Sequence, residues 1–171
     1  PHIRCSCPKI LFNLLANNYG EERAEELSLI NNTAAPITVR VNPLKTSRRE
    51  LLTRWQSRYH PSACRHSPWG ITLEQRANLF ALPEFKQGFF EMQDEGSQLL
   101  SAMVDAHPGQ QVLDYCAGSG GKTLAFAPAM EGRGQIYLHD VRRRALEEAR
   151  HRLRRAGIQN AQIVPAENPR L

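Results

Sequence analysis

No apolar run in the 171 residues approaches the length of a membrane span, and no secretory hydrophobic segment opens the chain, so the sequence predicts a soluble, cytoplasmic protein. Cysteine is scarce. Cys5, Cys7, Cys64 and Cys116 are scattered and need not form disulfides. Metal-ligand spacing is missing as well: Cys5 and Cys7 have only His2 nearby, and His60, Cys64 and His66 lie in a Pro- and Ser-containing connection without a fourth ligand. No metal is expected. Aromatic residues make up 7% of the chain, and Trp55, Trp69, Phe85, Phe89 and Phe90 read as core or interface residues rather than a base-stacking platform.

What the chain has is positive charge in one place. The formal net charge is +5, and residues 142–155 alone carry seven arginines against Glu147 and Glu148. A basic helix there suits phosphate contacts and an RNA partner. It suits better a solvated outer face with Ala145, Leu146, Ala149 and Leu153 packed on a sheet.

The organising stretch is Gln111 to Met130, "QVLDYCAGSGGKTLAFAPAM". Val112 and Leu113 end a short buried strand, and Gly118, Gly120 and Gly121 then allow a tight turn whose main-chain N–H groups can approach a ligand. From about Lys122 a helix is expected, with its positive end toward the turn, so an anionic group should bind there. Pro128 should shorten or kink that helix. A nucleotide P-loop would require glycine where Cys116 stands, although Gly121, Lys122 and Thr123 satisfy its end. An adenosine cofactor across the strand ends instead requires an acidic residue closing the next strand about 20 residues on. "QIYLHD" supplies that strand, and Asp140 stands 22 residues beyond Gly118. The competing reading has Asp140 simply capping the Arg-rich helix.

Elsewhere the pattern predicts a frayed lead-in over residues 1–8, then a helix from Lys9 to Asn17 with Ile10, Leu11, Leu14 and Leu15 on one face, ended at Gly20. A second helix over about Glu21 to Leu29 precedes "ITVRV", which alternates as a half-buried strand, and a helix around Ser47 to Arg58 follows. "GITL" and "GFFEM" read as strands. A helix capped by Asp94 or Ser97 buries Leu99, Leu100, Met103 and Val104, and "AQIVPAE" begins a third strand of the second sheet with Glu167 near its end. The fold class is therefore α/β: a small α+β N-terminal module over residues 1–92, then the first part of a Rossmann-like domain over 93–171 with an incomplete sheet.

"DYCAGSGGKT" is similar to the D-x-C-A-x-P-G-G-K-T signature of the Sun-type (Nol/Nop/Sun) family of S-adenosylmethionine-dependent RNA cytosine-C5 methyltransferases. "PITVRVNPLKTSRREL", "LPEFKQGFFEMQDEGSQLL" and "DVRRRALEEARHRLRRAGIQN" agree with the family in order, so the resemblance, to the family's N-terminal portion, covers nearly the whole chain. It implies S-adenosyl-L-methionine as cofactor, held by Cys116, Ala117, Gly118, Ser119, Gly120, Gly121 and Lys122, with Asp140 at the ribose and Glu167 at the adenine. It implies RNA held by Arg40, Asn42 and Lys45, ribosomal RNA of the 16S type as the preferred substrate, and a monomeric enzyme. The signature usually has proline where this chain has Ser119. The family's nucleophilic cysteines lie in Pro-Cys and Thr-Cys pairs after later strands, and no such pair occurs here. A fragment inactive by itself is the expectation, with Cys116 a small buried loop residue rather than a nucleophile. A non-catalytic RNA-binding module, and a P-loop nucleotide hydrolase, remain as other readings.

Overall fold

A computed structural model describes residues 1–75 and 77–164, in two compact units, Pro1–Pro36 and the remainder from Ile37. In the first unit α1 (Lys9–Tyr19) and α2 (Glu21–Asn31) are joined at Gly20. The lead-in is a set of turns rather than a frayed end: Cys5 N–H donates to Pro1 O at 3.1 Å, and Cys5 is fully buried against Phe12 and Ala24. The buried stripe of α1 is Phe12 with Leu15 and Ala16, while Ile10 and Leu14 are 82% and 58% exposed. The expected face is thus corrected. The helix has two apolar stripes, and the small side chain of Ala24 on α2 receives the one carrying the large ring.

The second unit opens with an antiparallel sheet. It contains β1 (Ile37–Val41), α3 (Arg48–Tyr59), β2 (Pro61–Ala63), β3 (Gly70–Leu73), a short α4 (Pro83–Lys86) and β4 (Phe90–Met92), in strand order β2-β3-β1-β4. β2 falls in the Pro- and Ser-containing segment expected as a connection, because a three-residue edge strand has no period to detect. Ser47 starts α3 through a reciprocal capping box: Glu50 N–H donates to Ser47 Oγ at 3.2 Å and Ser47 N–H donates to Glu50 Oε2 at 3.0 Å. One face of β1 sends Val39 and Val41 into a core with Leu51, Ile71, Phe90 and Trp55, whose ring meets Phe90 edge-on at 5.0 Å. Its other face carries Thr38 and Arg40, and it too is buried.

The parallel sheet begins after α5 (Glu95–Ala102), whose N-cap is Asp94. β5 (Gln111–Asp114), α6 (Thr123–Phe126), β6 (Gln135–Leu138), α7 (Arg143–Ala156) and β7 (Ala161–Ile163) follow, with strands in the order β5-β6-β7. α6 lasts one turn before Pro128 converts the chain to a 3-10 segment over Ala127–Met130, the shortening that a missing backbone donor requires. Leu146, Ala149, Leu153 and Ala156 of α7 cover Ile136 and Leu138 of the central strand. α5 departs from its expected orientation. It buries Gln98 and Ser101 and leaves Leu100 and Met103 58% and 79% exposed. Gln98 turns inward because its amide is satisfied there, accepting from Ser67 Oγ at 2.6 Å and donating to Gln93 O at 2.9 Å. Among the described residues, no helix is long and apolar enough to cross a membrane.

Candidate cofactor site

The segment from Cys116 to Lys122 forms a loop at the carboxyl ends of β5 and β6, where open α/β sheets bind their ligands. Gly120 has φ +78°, and a Cβ there would lie 3.3 Å from Ala149 Cβ, so glycine lets the loop settle on α7. Ala117 N–H donates to His139 O at 2.9 Å, and Gly118 N–H to Asp140 Oδ2 at 2.8 Å. The loop and the acid read from the sequence are therefore in direct contact.

Asp140 is buried and fully engaged. Its Oδ1 accepts from Arg142 N–H at 2.9 Å and from Arg142 Nε at 3.0 Å, and its Oδ2 accepts from Arg142 Nη2 at 3.1 Å. The Arg142 guanidinium, then the main-chain N–H groups of Arg142 and Gly118, hold the Asp140 carboxyl well below the usual carboxylate range. The same pairing raises Arg142, whose side chain is 69% exposed. Asp140 is more than a helix cap: the N-cap residue of α7 is Arg142, and Asp140 ties it to the glycine loop.

Beside the loop is a cavity of about 310 Å³ lined by Met92, Gln93, Asp94, Ser97, Asp114, Cys116, Ala117, Ser119, Gly121 and Lys122. Among the described residues, the N–H groups of Ser119, Gly121 and Lys122 have no acceptor. These donors, together with Lys122, are what the site offers an anion; the single turn of α6 adds little dipole. Thr123 is fully buried and donates to Asp114 Oδ2 at 2.7 Å, so the Gly-Lys-Thr sequence closes the strand onto the helix rather than presenting a hydroxyl to a metal–phosphate pair. Cys116 is exposed at the cavity, contrary to the buried position expected, because the edge strand β5 has no neighbour on its far side among the described residues. Stacked on buried His139 at 4.7 Å is Tyr115. Glu167 lies outside the described residues.

Arg40 and Asn42, expected at RNA, are buried between the two sheets. Arg40 Nη1 donates to Gly121 O at 3.2 Å, while Asn42 Nδ2 donates to Gly88 O and to Ala156 O, each at 2.9 Å, closing the end of α7. Gly88 has φ +77°, and a Cβ on it would fall 2.1 Å from Arg155 O, so only glycine permits this approach. Burial lowers the Arg40 guanidinium to about 10, opposed by Glu91 and reinforced by Arg152, and Arg40 stays cationic at neutral pH. Lys45 is exposed, with its chain end beside Gly157.

Sequence reasoning passed over Glu91 and the inward turn of Arg152. The available signals were a carboxylate inside the apolar run "FFEM" and an arginine spaced i+3 from Ala149 and i−4 from Ala156 on the buried stripe. Among the described residues, no group of three or more His, Cys, Asp and Glu side chains is placed to hold a metal.

Residues 7–79 match the family described as Methyltr_RsmF/B-like, ferredoxin-like domain, and residues 90–171 match the ubiE/COQ5 methyltransferase family. The chain is 32% identical over 165 residues to ribosomal RNA small subunit methyltransferase B of Pseudomonas putida, covering 96% of this chain and 37% of that protein. It is 30% identical over 139 residues to the 26S rRNA (cytosine-C(5))-methyltransferase nsun-1 of Caenorhabditis elegans, covering 78% of this chain and 20% of that protein. A methyltransferase homologue from Pyrococcus horikoshii superposes with a TM-score of 0.85 at 28% identity, covering 95% of this chain and 54% of that one. The chain thus spans 37% or less of the length of these two curated relatives. The antiparallel half finds its counterparts in the same proteins as the parallel half, so the likeness to the Sun-type methyltransferases runs through both halves of the chain.

Proposed function

We propose that the protein carrying this chain transfers a methyl group from S-adenosyl-L-methionine to C5 of a cytosine in ribosomal RNA, and that this chain supplies the cofactor loop. The observation that carries the reading is the buried Asp140 carboxylate bound to the glycine loop beside a cavity with free N–H donors. The donors of Ser119, Gly121 and Lys122 meet the methionine carboxylate; Asp140 accepts from the ribose hydroxyls once Arg142 swings outward; and Glu167 serves the adenine. The cofactor brings the electrophilic methyl group. The chain's residues orient it and fix its charged ends.

No cysteine of this chain lies in a Pro-Cys or Thr-Cys pair, so the nucleophile that attacks C6 is assigned to none of the four. RNA contact within the chain falls to Lys45 and the outward arginines of α7, with Arg40 and Asn42 acting from beneath the surface as fasteners. The functional division is drawn between residues 92 and 93, although both sheets belong to one compact unit. The bacterial ribosomal RNA methyltransferase among the relatives supports a cytoplasmic setting, and a monomer belongs to the same reading.

The test is calorimetry of S-adenosylhomocysteine binding to the intact protein. Asp140→Ala is expected to weaken binding by about 10- to 100-fold, the range for losing hydrogen bonds to a charged group. Absence of binding, or an Asp140→Ala variant that binds like the parent, would overturn the reading. Salt-dependent RNA binding without any cofactor binding would instead make the chain a non-catalytic RNA-binding module.

A further inference from the structure

A loop that presents N–H groups to a ligand must place its carbonyl oxygens elsewhere, and here those oxygens are gripped by side chains from two directions. From α7, Arg152 Nη1 donates to Ser119 O at 2.9 Å and to Ser119 Oγ at 2.7 Å. From the antiparallel sheet, Arg40 Nη1 donates to Gly121 O at 3.2 Å, and Gln93 Nε2 donates to the same oxygen at 3.3 Å. Neither arginine touches the Asp140 side of the loop.

Arg152 binds a carboxylate that stands opposite Arg40 in the sheet. Glu91 is opposite Arg40 in the β1–β4 register, and its side chain is 4% exposed. Its Oε2 accepts from Arg152 Nε at 3.2 Å and from Arg152 Nη2 at 3.0 Å, while Oε1 accepts from Arg155 Nη2 at 2.5 Å. Arg155 in turn lies 4.0 Å over the Phe85 ring. With its Nε and Nη2 on Glu91, Arg152 has one planar fork orientation left, and that orientation directs Nη1 at Ser119. A carboxylate buried this deeply is costly to desolvate, so stability alone is a weak account of it.

We propose, resting on the cofactor reading above, that Glu91 and Arg152, with Arg40, are positioning residues that set the shape of the glycine loop and thereby the affinity of its N–H donors for the carboxylate end of the cofactor. The loop's geometry is then written largely outside the loop, on β1, β4 and α7. Ser119 is the point where this control enters, because Arg152 holds both its carbonyl and its hydroxyl.

The experiment measures S-adenosylhomocysteine affinity by calorimetry, and ligand-free melting temperature, for the intact protein and the variants Arg152→Met, Arg152→Lys and Ser119→Ala. Arg152→Met is expected to weaken binding by about 10-fold in the folded protein, roughly the effect of one charge-assisted hydrogen bond. Arg152→Lys recovers part of that affinity, since an ammonium can still donate to Ser119 but cannot fork onto Glu91. Ser119→Ala, which keeps the carbonyl contact and perturbs folding least, loses a few-fold and shows no further loss when combined with Arg152→Met. A lowered melting temperature with unchanged affinity in all variants would reduce the network to a structural tie and overturn the proposal. Should Arg152→Met fail to fold, Ser119→Ala and Arg152→Lys decide it by the same affinity criterion. Absence of binding to the parent protein overturns the cofactor reading itself, and the positioning role falls with it.

Discussion

The two sheets of the second unit handle polarity in opposite ways. The antiparallel sheet has a ring-filled core on one face of β1, and on the other it buries charged and amide side chains, Arg40, Asn42 and Glu91. The parallel sheet buries aliphatic residues such as Ile136, Leu138 and Leu146, and the chemistry it offers comes mainly from main-chain atoms of its glycine loop. One sheet contributes side chains that point at the other; the second contributes backbone that is held. On the proposed reading, the ligand-facing surface and the residues that shape it lie on different sheets, so a substitution on β4 acts on a site built on β5.

The largest expected effect comes from breaking that junction at its centre. Glu91→Ala leaves Arg152 and Arg155 without their carboxylate and Arg40 without its cross-strand partner, all in a buried interface. A loss of about 3–5 kcal/mol in urea unfolding is expected, the range for removing one member of a buried ion pair. A cavity made on the other face of the same sheet, Trp55→Ala, should cost a similar 3–5 kcal/mol while leaving loop geometry alone. Comparing cofactor affinity in the folded fractions of the two variants sharpens the contrast. If Trp55→Ala weakens binding as much as Glu91→Ala, the two faces of β1 are not functionally distinct.

A smaller effect separates the two ends of the loop. Asp140 titrates below the ordinary carboxylate range when folded because of Arg142 first, and of the Arg142 and Gly118 N–H groups after it. A depressed folded value gives stability that is full above the unfolded value of about 3.9 and is lost as pH falls through the folded one. Acid unfolding of Asp140→Asn should therefore differ from the parent at neutral pH, with the difference shrinking below about pH 4. A difference that stays constant down the acid limb would assign the Asp140 contribution to packing instead of charge.

How far the sequence reached follows the same division. The glycine loop, the spacing of Asp140 from it, the shortening at Pro128 and the strands "ITVRV" and "QIYL" were legible because each is a local pattern or a fixed spacing along one βαβ unit. Arg152 and Glu91 are 61 residues apart, and nothing local says that they meet. Arg40 and Asn42 looked like surface donors because a half-buried strand normally turns its polar face to water, and only docking of the second sheet covers it. The stripe on α5 was misjudged for a related reason. Gln98 finds three polar partners inward, on Ser67, Gln93 and Val39, whereas Leu100 and Met103 find no covering layer among the described residues.

The first unit supplies a test separate from that junction, since its α1 carries two apolar stripes of which one is buried. Phe12 packs on Cys5 and Ala24, so Phe12→Ala removes a ring from the only hydrophobic cluster found among this unit's described residues and should cost about 3–5 kcal/mol of that unit's stability. Leu14 is apolar in the same helix yet faces solvent, so Leu14→Ser should change the stability of the unit by no more than about 0.5 kcal/mol. Amide hydrogen exchange along α1 reads both variants in place, without requiring the unit to unfold separately from the rest. Fast exchange in Phe12→Ala with unchanged protection in Leu14→Ser is the expected pair. Equal loss of protection in the two would mean that the exposed stripe is covered in solution, and the orientation of α1 given by its contact with α2 would be the part to revise.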